Sequence, residues 1–246
     1  FHIIHGVRTR IQNTIRCVKE LPLDVDDVVF SGLASAQVAL TQQEKDLGAL
    51  VIDIGGGTTD YVLYSEGAVR QSGCLAVGGD HITNDISMGL RIPMARAEKL
   101  KTEEGSCVLG NCLPGEMILL KDDSGFAGKE IERETLNTII YLRLREAFEL
   151  LKRRLDEEPY LGYLGTGVFI TGGCSLLSGI DHLAEEIFEL PANMTHAQAA
   201  WGVTSAVENP QFSTAIGLVK FAQVMHTYRP PRGLGRFIGK IFSGKR

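Results

Sequence analysis

The sequence predicts a layered α/β fold, because segments with the pattern of strands alternate with segments that have the pattern of helices. Apolar runs at 50–52 and 167–170 each lead directly into a glycine turn, as strands of such folds do. Between them, apolar residues recur at three- and four-residue steps and predict a long helix with one face in the core. This stripe comprises Leu136, Ile139, Ile140, Leu144, Ala147, Phe148, Leu151 and Leu155. Because ligands of α/β folds bind at the carboxyl ends of strands, we expect the two glycine turns to face one crevice.

The first fifty residues predict two helices and a strand before the first glycine turn. Ile11, Ile15 and Val18 have helical spacing, and the apolar run 28–30 predicts a strand. The small residues of 31–40 predict the next helix, and the polar stretch 41–48 then leads into the strand at 50–52.

Two short strands are predicted at 61–64 and 68–71, joined by a turn at 65–67. A further strand at 74–77 ends in a second glycine turn, Gly78 to Asp80.

The segment from 81 to 131 is irregular in pattern and contains one predicted helix, near 95–104. Pro159 and Gly162 are expected to end the long helix, and 180–188 predicts another helix after the last glycine turn.

Composition narrows the class of protein. The 246 residues suffice for one large or two modest domains, and 44% hydrophobic with 22% charged residues is ordinary for a soluble globular chain. Five scattered cysteines without a CxxC pair indicate reduced thiols rather than a disulfide scaffold or a zinc site. No apolar run approaches the roughly 20 residues of a membrane span, and no secretory leader is present. Since the chain opens on Phe1, we interpret it as a fragment of a longer protein.

The run ALVIDIGGGTTD at 49–60 is the strongest candidate for a functional site. An apolar strand carries Asp53 to its end, where a carboxylate can hold a metal-bound water. The three glycines allow positive φ and let backbone N–H groups approach a phosphate, and threonine hydroxyls suit phosphate oxygens. The predicted phosphate loop comprises Asp53, Gly55, Gly56, Gly57, Thr58 and Thr59. A plain hairpin turn is the alternative, and the flanking Asp and Thr-Thr-Asp favour the phosphate loop over it.

Two further elements are candidates for the same site. Glu98 and Lys101 are three residues apart on the predicted helix near 95–104, so they share one helix face. The turn Gly172, Gly173, Cys174, Ser175 lacks large side chains and leaves room for a flat adenosine ring. Taken singly, the first is more often a solvated surface ion pair and the second an ordinary turn. Their order and separations along the chain favour one shared site.

The motifs DIGGGTTD, GGDHITNDIS, AEKLK and FITGGCSLLSGI resemble those of the actin-like ATPase superfamily, which includes actin, MreB and the DnaK-type chaperones. Within it the chain resembles the FtsA family of bacterial cell-division proteins over nearly its whole length. The resemblance implies an actin-like (ribonuclease H-like) domain with an inserted smaller lobe, plus a carboxyl-terminal amphipathic helix. It implies ATP and Mg²⁺ as cofactors, self-assembly into actin-like filaments, and partnership with the tubulin-like protein FtsZ and other division proteins.

The resemblance also assigns roles to residues. The phosphate loop named above would hold phosphates, with Asp53 contacting Mg²⁺ through water, and Gly78, Gly79 and Asp80 would border the nucleotide. Glu98 and Lys101 would contact adenosine, and Gly172, Gly173 and Ser175 would cover its base. The superfamily's first phosphate loop has no counterpart here, and Gly32 stands where a water-positioning Glu is expected. Nucleotide binding is therefore expected, and hydrolysis is expected to be weak or absent.

The same resemblance implies a domain organisation. Residues 1–30 would be a remnant of the FtsA-specific inserted subdomain and 31–48 the end of the first actin-like lobe. The second lobe would comprise 49–81 and 132–225, with 82–131 as the inserted smaller subdomain, 226–232 as a linker and 233–246 as a membrane-targeting helix.

The carboxyl-terminal segment predicts membrane attachment. No acidic residue follows Glu208, whereas seven basic residues do. On a helix, five large apolar residues form one stripe with basic residues off it, which suits the surface of an anionic bilayer. The predicted membrane-binding residues are Leu234, Arg236, Phe237, Ile238, Lys240, Ile241 and Phe242. A helix docked on its own domain and binding to DNA are alternatives; the large hydrophobes favour lipid, and no nucleic-acid partner is expected.

Together these patterns predict an ATP-binding scaffold that tethers the FtsZ ring to the cytoplasmic side of the inner membrane, as a peripheral protein of the division septum. The alternatives are a true ATPase, an actin-like adaptor of pilus or secretion assembly, or an MreB-like shape protein. The amphipathic tail and the absent carboxylate near Gly32 favour the scaffold.

Overall fold

A computed structural model describes residues 1–110, 112–121, 127–156, 162, 164–195 and 209–228. The helices are α1 (Arg8–Lys19), α2 (Ser31–Ala39), α3 (Gln42–Leu47), α4 (Gly79–Leu90), α5 (Met94–Glu104), α6 (Arg133–Asp156), α7 (Ile180–Phe188) and α8 (Ser213–Tyr228). The strands are β1 (Ala49–Ile54), β2 (Thr59–Ser65), β3 (Ala68–Leu75), β4 (Met117–Leu120), β5 (Lys129–Glu132), β6 (Val168–Thr171) and β7 (Ala192–Met194).

Five of these strands form one mixed sheet in the order β3-β2-β1-β6-β7. Strands β1, β2 and β3 pair antiparallel, whereas β6 lies parallel to β1 and β7 parallel to β6. All six residues of β1 are buried, as expected for a central strand covered on both faces. The sheet and its flanking helices confirm the predicted α/β class.

Helices cover both faces of the sheet. On one face, α2 packs over Val51, Val62 and Phe169, and α8 packs on α2. The opposite face carries the larger core, in which Ile52 and Ile170 of the sheet meet α4, α6 and α7. Because alternate residues of a strand point to opposite faces, one apolar run in β1 supplies both cores.

The chain between α4 and α6 forms a smaller unit of α5 and the antiparallel pair β4–β5. Arg133, at the start of α6, holds this unit in place. Its guanidinium donates to Glu104 at the end of α5 and to Glu116 before β4, both at 2.7 Å.

The predicted strand at 28–30 is wrong: these residues have no regular structure. A strand requires a hydrogen-bonding neighbour, and no strand of the described chain pairs with this segment. The separate strand at 74–77 is also wrong. Residues 74 and 75 instead continue β3, which stays paired with β2 past a register shift at Leu63 and Tyr64.

The irregular segment predicted from 81 to 131 begins with a helix instead. Ile82, Ile86 and Leu90 of α4 recur every fourth residue and are buried. Helix α3 was also missed, although Thr41 and Glu44 form a capping box that the sequence displays as T-x-x-E.

The predictions for α1, α2, α5, α6 and α7 are confirmed, with ends within a few residues. Helix α8 runs to Tyr228 and so takes in the first three residues of the segment 226–232 assigned to a linker. Pro159 and the tail 229–246, with all its predicted membrane-binding residues, lie outside the described residues. None of the described helices is long and apolar enough to cross a membrane.

Candidate functional site

The glycine run forms the tip of the hairpin between β1 and β2. Gly55 N donates to Thr58 O at 2.9 Å and closes the turn, which leaves Gly56 and Gly57 exposed. Thr58 is exposed at the tip as well, whereas the Thr59 hydroxyl is buried and donates to the carbonyl of Val77 at 2.8 Å. Of the two threonines, Thr58 is therefore the exposed one.

The first turn of α4 packs directly on this hairpin. Gly79 N donates to Gly55 O at 2.9 Å, and Asp80 N donates to Gly56 O at 2.8 Å. A Cβ at Gly78 would lie 2.5 Å from Gly56 O, so this approach requires glycine. The positive end of the α4 dipole and the glycine backbone thus lie side by side, an arrangement that favours an anion.

Asp53 lies beneath the hairpin and is 9% exposed. Its Oδ2 accepts hydrogen bonds from Ser35 Oγ at 2.5 Å and Thr214 Oγ1 at 3.0 Å. Burial raises the pKa of Asp53, and the two hydroxyl donors oppose that rise only in part. Asp60 lies opposite Asp53 in the β1–β2 register and accepts from Ser31, one turn before Ser35 on α2. Two serines of α2 thus donate hydrogen bonds to two carboxylates of the β1–β2 hairpin.

Lys101 of α5 is buried, and its ammonium group already has an acceptor for each of its N–H groups. Its Nζ donates to Gly79 O at 3.1 Å, Thr83 Oγ1 at 2.8 Å and Glu98 Oε2 at 2.7 Å, which uses all three N–H groups. The Glu98 side chain is 49% exposed and keeps Oε1 free of this network. Burial acts to raise the pKa of Glu98, but the hydrogen bonds from Lys101 and Thr83 outweigh it and lower the pKa. Glu98 is therefore the exposed member of this pair, and Lys101 is the buried one.

The glycine turn after β6 forms the opposite wall. Gly172 has φ 87°, and a Cβ there would overlap Asp53 and lie 2.5 Å from Ile54 O. At Gly173 the nearest atom to an added Cβ is Gln211 Cβ, at 3.9 Å. The Ser175 hydroxyl is buried and donates to Gly172 O at 2.7 Å, so it stabilises the turn.

These elements enclose a cleft of about 380 Å³. The predicted residues that line it are Gly55, Gly56, Gly79, Asp80, Glu98, Lys101 and Gly173. Asp53, Thr59, Gly78, Gly172 and Ser175 lie behind its walls, and Gly57 and Thr58 form the hairpin tip.

Sequence reasoning missed five lining residues: Thr102, Cys174, Leu176, Leu177 and Gln211. Cys174 stands inside the predicted turn, and burial raises its pKa to about 11. Thr102 directly follows Lys101. No sequence motif indicated Gln211, because it lies 36 residues after Ser175 and reaches the cleft only through the fold of the chain.

The position expected for a water-positioning carboxylate is not on the cleft. A Cβ at Gly32 would meet the Phe30 ring at 2.8 Å and Val62 at 3.1 Å, inside the packing of α2 on the sheet. Ser31 is the residue of this turn that contacts a hairpin carboxylate, Asp60. Within the described ranges, no group of three or more His, Cys, Asp or Glu side chains could hold a metal ion.

The chain is similar to known proteins of one family. A family model described as "Cell division protein FtsA" matches residues 50–217. The cell division protein FtsA of Pseudomonas aeruginosa is 36% identical over 220 residues, which cover 89% of this chain and 53% of that protein. The FtsA of Neisseria meningitidis serogroup B is 38% identical over 222 residues, covering 90% and 54%. The chain spans about half the length of the curated relatives it matches.

The fold is also that of a solved actin-like protein. The crystal structure of MreB5 of Spiroplasma citri bound to ADP matches with a TM-score of 0.72 and 23% identity. The match covers 89% of this chain and 67% of MreB5. This likeness confirms the predicted actin-like fold.

Proposed function

The chain belongs to the FtsA family of actin-like cell-division proteins, and we propose that it is an ATP-binding scaffold of the division machinery. The observation that carries this proposal is the cleft in which the glycine hairpin, the start of α4, Glu98 and Gly173 converge. Family membership does not favour the alternatives of a pilus adaptor or an MreB-like shape protein.

The residues present fit a nucleotide. The exposed backbone of Gly56 and Gly57 lies beside the positive end of the α4 dipole, which favours the negative charge of phosphates. Glu98 Oε1 is an acceptor for ribose hydroxyls or an exocyclic amine, and Gly173 leaves a flat space for the base. The MreB5 neighbour was solved with ADP, which supports the same ligand class here.

Asp53 is the residue that would hold magnesium. Its Oδ2 is already held by Ser35 and Thr214, so the carboxylate fits a contact through a water molecule rather than a direct one. A bound Mg²⁺ would neutralise phosphate charge. Gly32, where the resemblance implies a water-positioning Glu, is packed between α2 and the sheet rather than on the cleft, so the proposal is nucleotide binding with weak or absent hydrolysis.

A pair of glycine substitutions tests nucleotide binding. Gly173→Val fills the cleft without a clash, because the nearest atom to its Cβ is 3.9 Å away. Gly162→Val is the control, since nothing lies within 4 Å of a Cβ there and the position is outside the cleft. With a fluorescent ATP analogue and Mg²⁺, we expect Gly173→Val to weaken binding about tenfold or more and Gly162→Val to leave it unchanged.

The titration is run on this chain and on a chain extended by the amino-terminal half of the Pseudomonas aeruginosa relative. Binding by neither protein would overturn the proposal, and so would equal binding by the Gly173→Val and Gly162→Val variants. Matching thermal melts of the two variants establish that lost affinity reflects the filled cleft.

We further propose that the protein polymerises and tethers FtsZ to the cytoplasmic side of the inner membrane at the septum. The basic, amphipathic segment 233–246 supports membrane attachment. Deleting it should abolish co-sedimentation with anionic vesicles and the recruitment of FtsZ filaments to them. Sedimentation that survives the deletion would contradict the tether. Electron microscopy with ATP tests filament formation.

A further inference from the structure

The cleft has two chemically different walls. One wall combines the exposed backbone of the glycine hairpin, the first turn of α4 and the carboxylate of Asp80. On the other wall, Gly173, Leu176 and Leu177 provide a surface of glycine backbone and aliphatic side chains. Sites for small molecules combine such apolar surfaces with a few polar groups that fix the orientation of the ligand. The second wall therefore suits a flat heteroaromatic base, provided that a polar group is present to orient it.

Gln211 brings a carboxamide to this second wall. It lies in a short 3₁₀ helix, Pro210–Phe212, directly before α8. The nearest atom to a Cβ added at Gly173 is Gln211 Cβ, at 3.9 Å, so the two residues lie side by side. Gln211 is exposed, and its carboxamide makes no hydrogen bond to another residue in the part of the chain that the structure describes. One acceptor oxygen and one NH₂ donor are therefore available to a ligand beside Gly173.

The backbone that carries Gln211 is fixed to the glycine turn after β6. Gly172 N donates to Pro210 O at 3.3 Å, and Phe212 N donates to Asn209 O at 3.0 Å. The Asn209 side chain also accepts from Gln211 N, at 3.1 Å. Because these bonds hold the main chain in place, a ligand that pairs with the carboxamide has only the side chain of Gln211 to order.

We propose that Gln211 recognises the base of the bound nucleotide and selects adenine over guanine. A glutamine carboxamide pairs with adenine at two positions, since its oxygen accepts from the N6 amine and its NH₂ group donates to N7. Guanine has acceptors at both O6 and N7 on the same edge, so the carboxamide oxygen would face another acceptor. The inference rests on the proposed function, because it requires a nucleotide in the cleft.

Two ATP analogues test the two hydrogen bonds one at a time. 7-Deaza-ATP lacks the N7 acceptor, and purine riboside triphosphate lacks the N6 amine. We expect each to bind about fivefold more weakly than ATP, which equals about 1 kcal/mol, the net contribution of a typical hydrogen bond. GTP should bind about tenfold more weakly. The affinities are measured by competition with a fluorescent ATP analogue and Mg²⁺, on this chain and on its amino-terminally extended form.

A glutamine substitution tests whether Gln211 is the residue that reads the base. Gln211→Met removes both hydrogen bonds and keeps an unbranched side chain of similar length. We expect this variant to bind ATP about tenfold more weakly and to bind the two analogues as well as ATP. Gln43→Met is the matched control, since Gln43 is also an exposed glutamine of a short helix but lies outside the cleft. It should keep the affinity for ATP and the preference over the analogues, and the thermal melts of the two variants should agree.

The outcomes separate this inference from the proposed function. If the unmodified protein binds ATP no more tightly than GTP and the two analogues, the inference is overturned and nucleotide binding stands. A preference for ATP that survives in Gln211→Met overturns the inference as well, because another residue then reads the base. No binding of ATP by this chain or by its extended form overturns the proposed function, and the inference with it.

Discussion

Gly217→Ala should destabilise the protein, although alanine is the better helix former. The added Cβ would overlap the backbone carbonyl of Ala34 and lie 3.0 Å from its Cα, and a backbone cannot rotate out of the way. Since carbon atoms in contact prefer about 3.5–4.0 Å, α8 must move away from α2 by the order of 1 Å. That displacement stretches the hydrogen bond from Thr214 Oγ1 to Asp53 Oδ2, now 3.0 Å long, beyond useful range.

The magnitude follows from three contributions to the free energy of unfolding. Overpacking of a well-packed contact costs about 1–3 kcal/mol. One weakened buried hydrogen bond costs about 1 kcal/mol. Replacing glycine by alanine inside a helix returns about 1 kcal/mol. The net loss is then about 1–3 kcal/mol.

Urea denaturation followed by circular dichroism measures this loss as a lower midpoint with an unchanged slope. Gly89→Ala in α4 is the matched control, because its Cβ would meet only the mobile end of Ile139, at 3.0 Å. The free energy of unfolding of Gly89→Ala should lie within about 1 kcal/mol of that of the unmodified protein. Equal stability of Gly217→Ala and the parent, or an equal loss in Gly89→Ala, would refute the reasoning.

Three further predictions concern side chains around the cleft. Arg133→Ala should cost about 1 kcal/mol and speed hydrogen exchange of β4 and β5, because the ion pair with Glu104 is lost. Cys174, whose pKa is raised to about 11, should react slowly with iodoacetamide at pH 8 and quickly once urea unfolds the protein. The pKa of Glu98 is lowered in the folded state, so its ion pair with Lys101 contributes stability above the ordinary pKa and loses it as the pH falls. The stability difference between the parent and Glu98→Gln should therefore shrink in acid, and a constant difference would contradict this.

The sequence predicted the walls of the cleft because their residues are neighbours along the chain. The glycine hairpin, the face of α5 and the turn after β6 are each contained in fewer than a dozen residues, so local motifs together with the family resemblance identified them. The partners of Asp53 were missed for the opposite reason. Ser35 and Thr214 are 179 residues apart, and only the packing of α8 on α2 brings them together.

The errors in secondary structure also have physical causes. The apolar run 28–30 has strand composition, but strand composition forms a strand only where a neighbouring strand accepts its hydrogen bonds. Helix α4 was obscured by Gly78, Gly79 and Asp80, which suggested a turn rather than the start of a helix. In the structure the pair Gly78 and Gly79 forms a turn and also starts a helix, since Gly78 is the N-cap of α4.

Lys101 is a motif residue whose hydrogen bonds stabilise the walls of the cleft. A lysine beside a phosphate loop suggests a direct ligand contact, yet all three N–H groups of Lys101 are bonded within the fold. Its ammonium links the first turn of α4, through Gly79, to Glu98 of α5, so it fixes the angle between two cleft walls. A buried cation satisfied in this way costs nothing to reorganise when a ligand arrives, whereas an unsatisfied one would have to exchange partners. The cleft is therefore preorganised, and Glu98, Asp80 and the backbone of the hairpin line it.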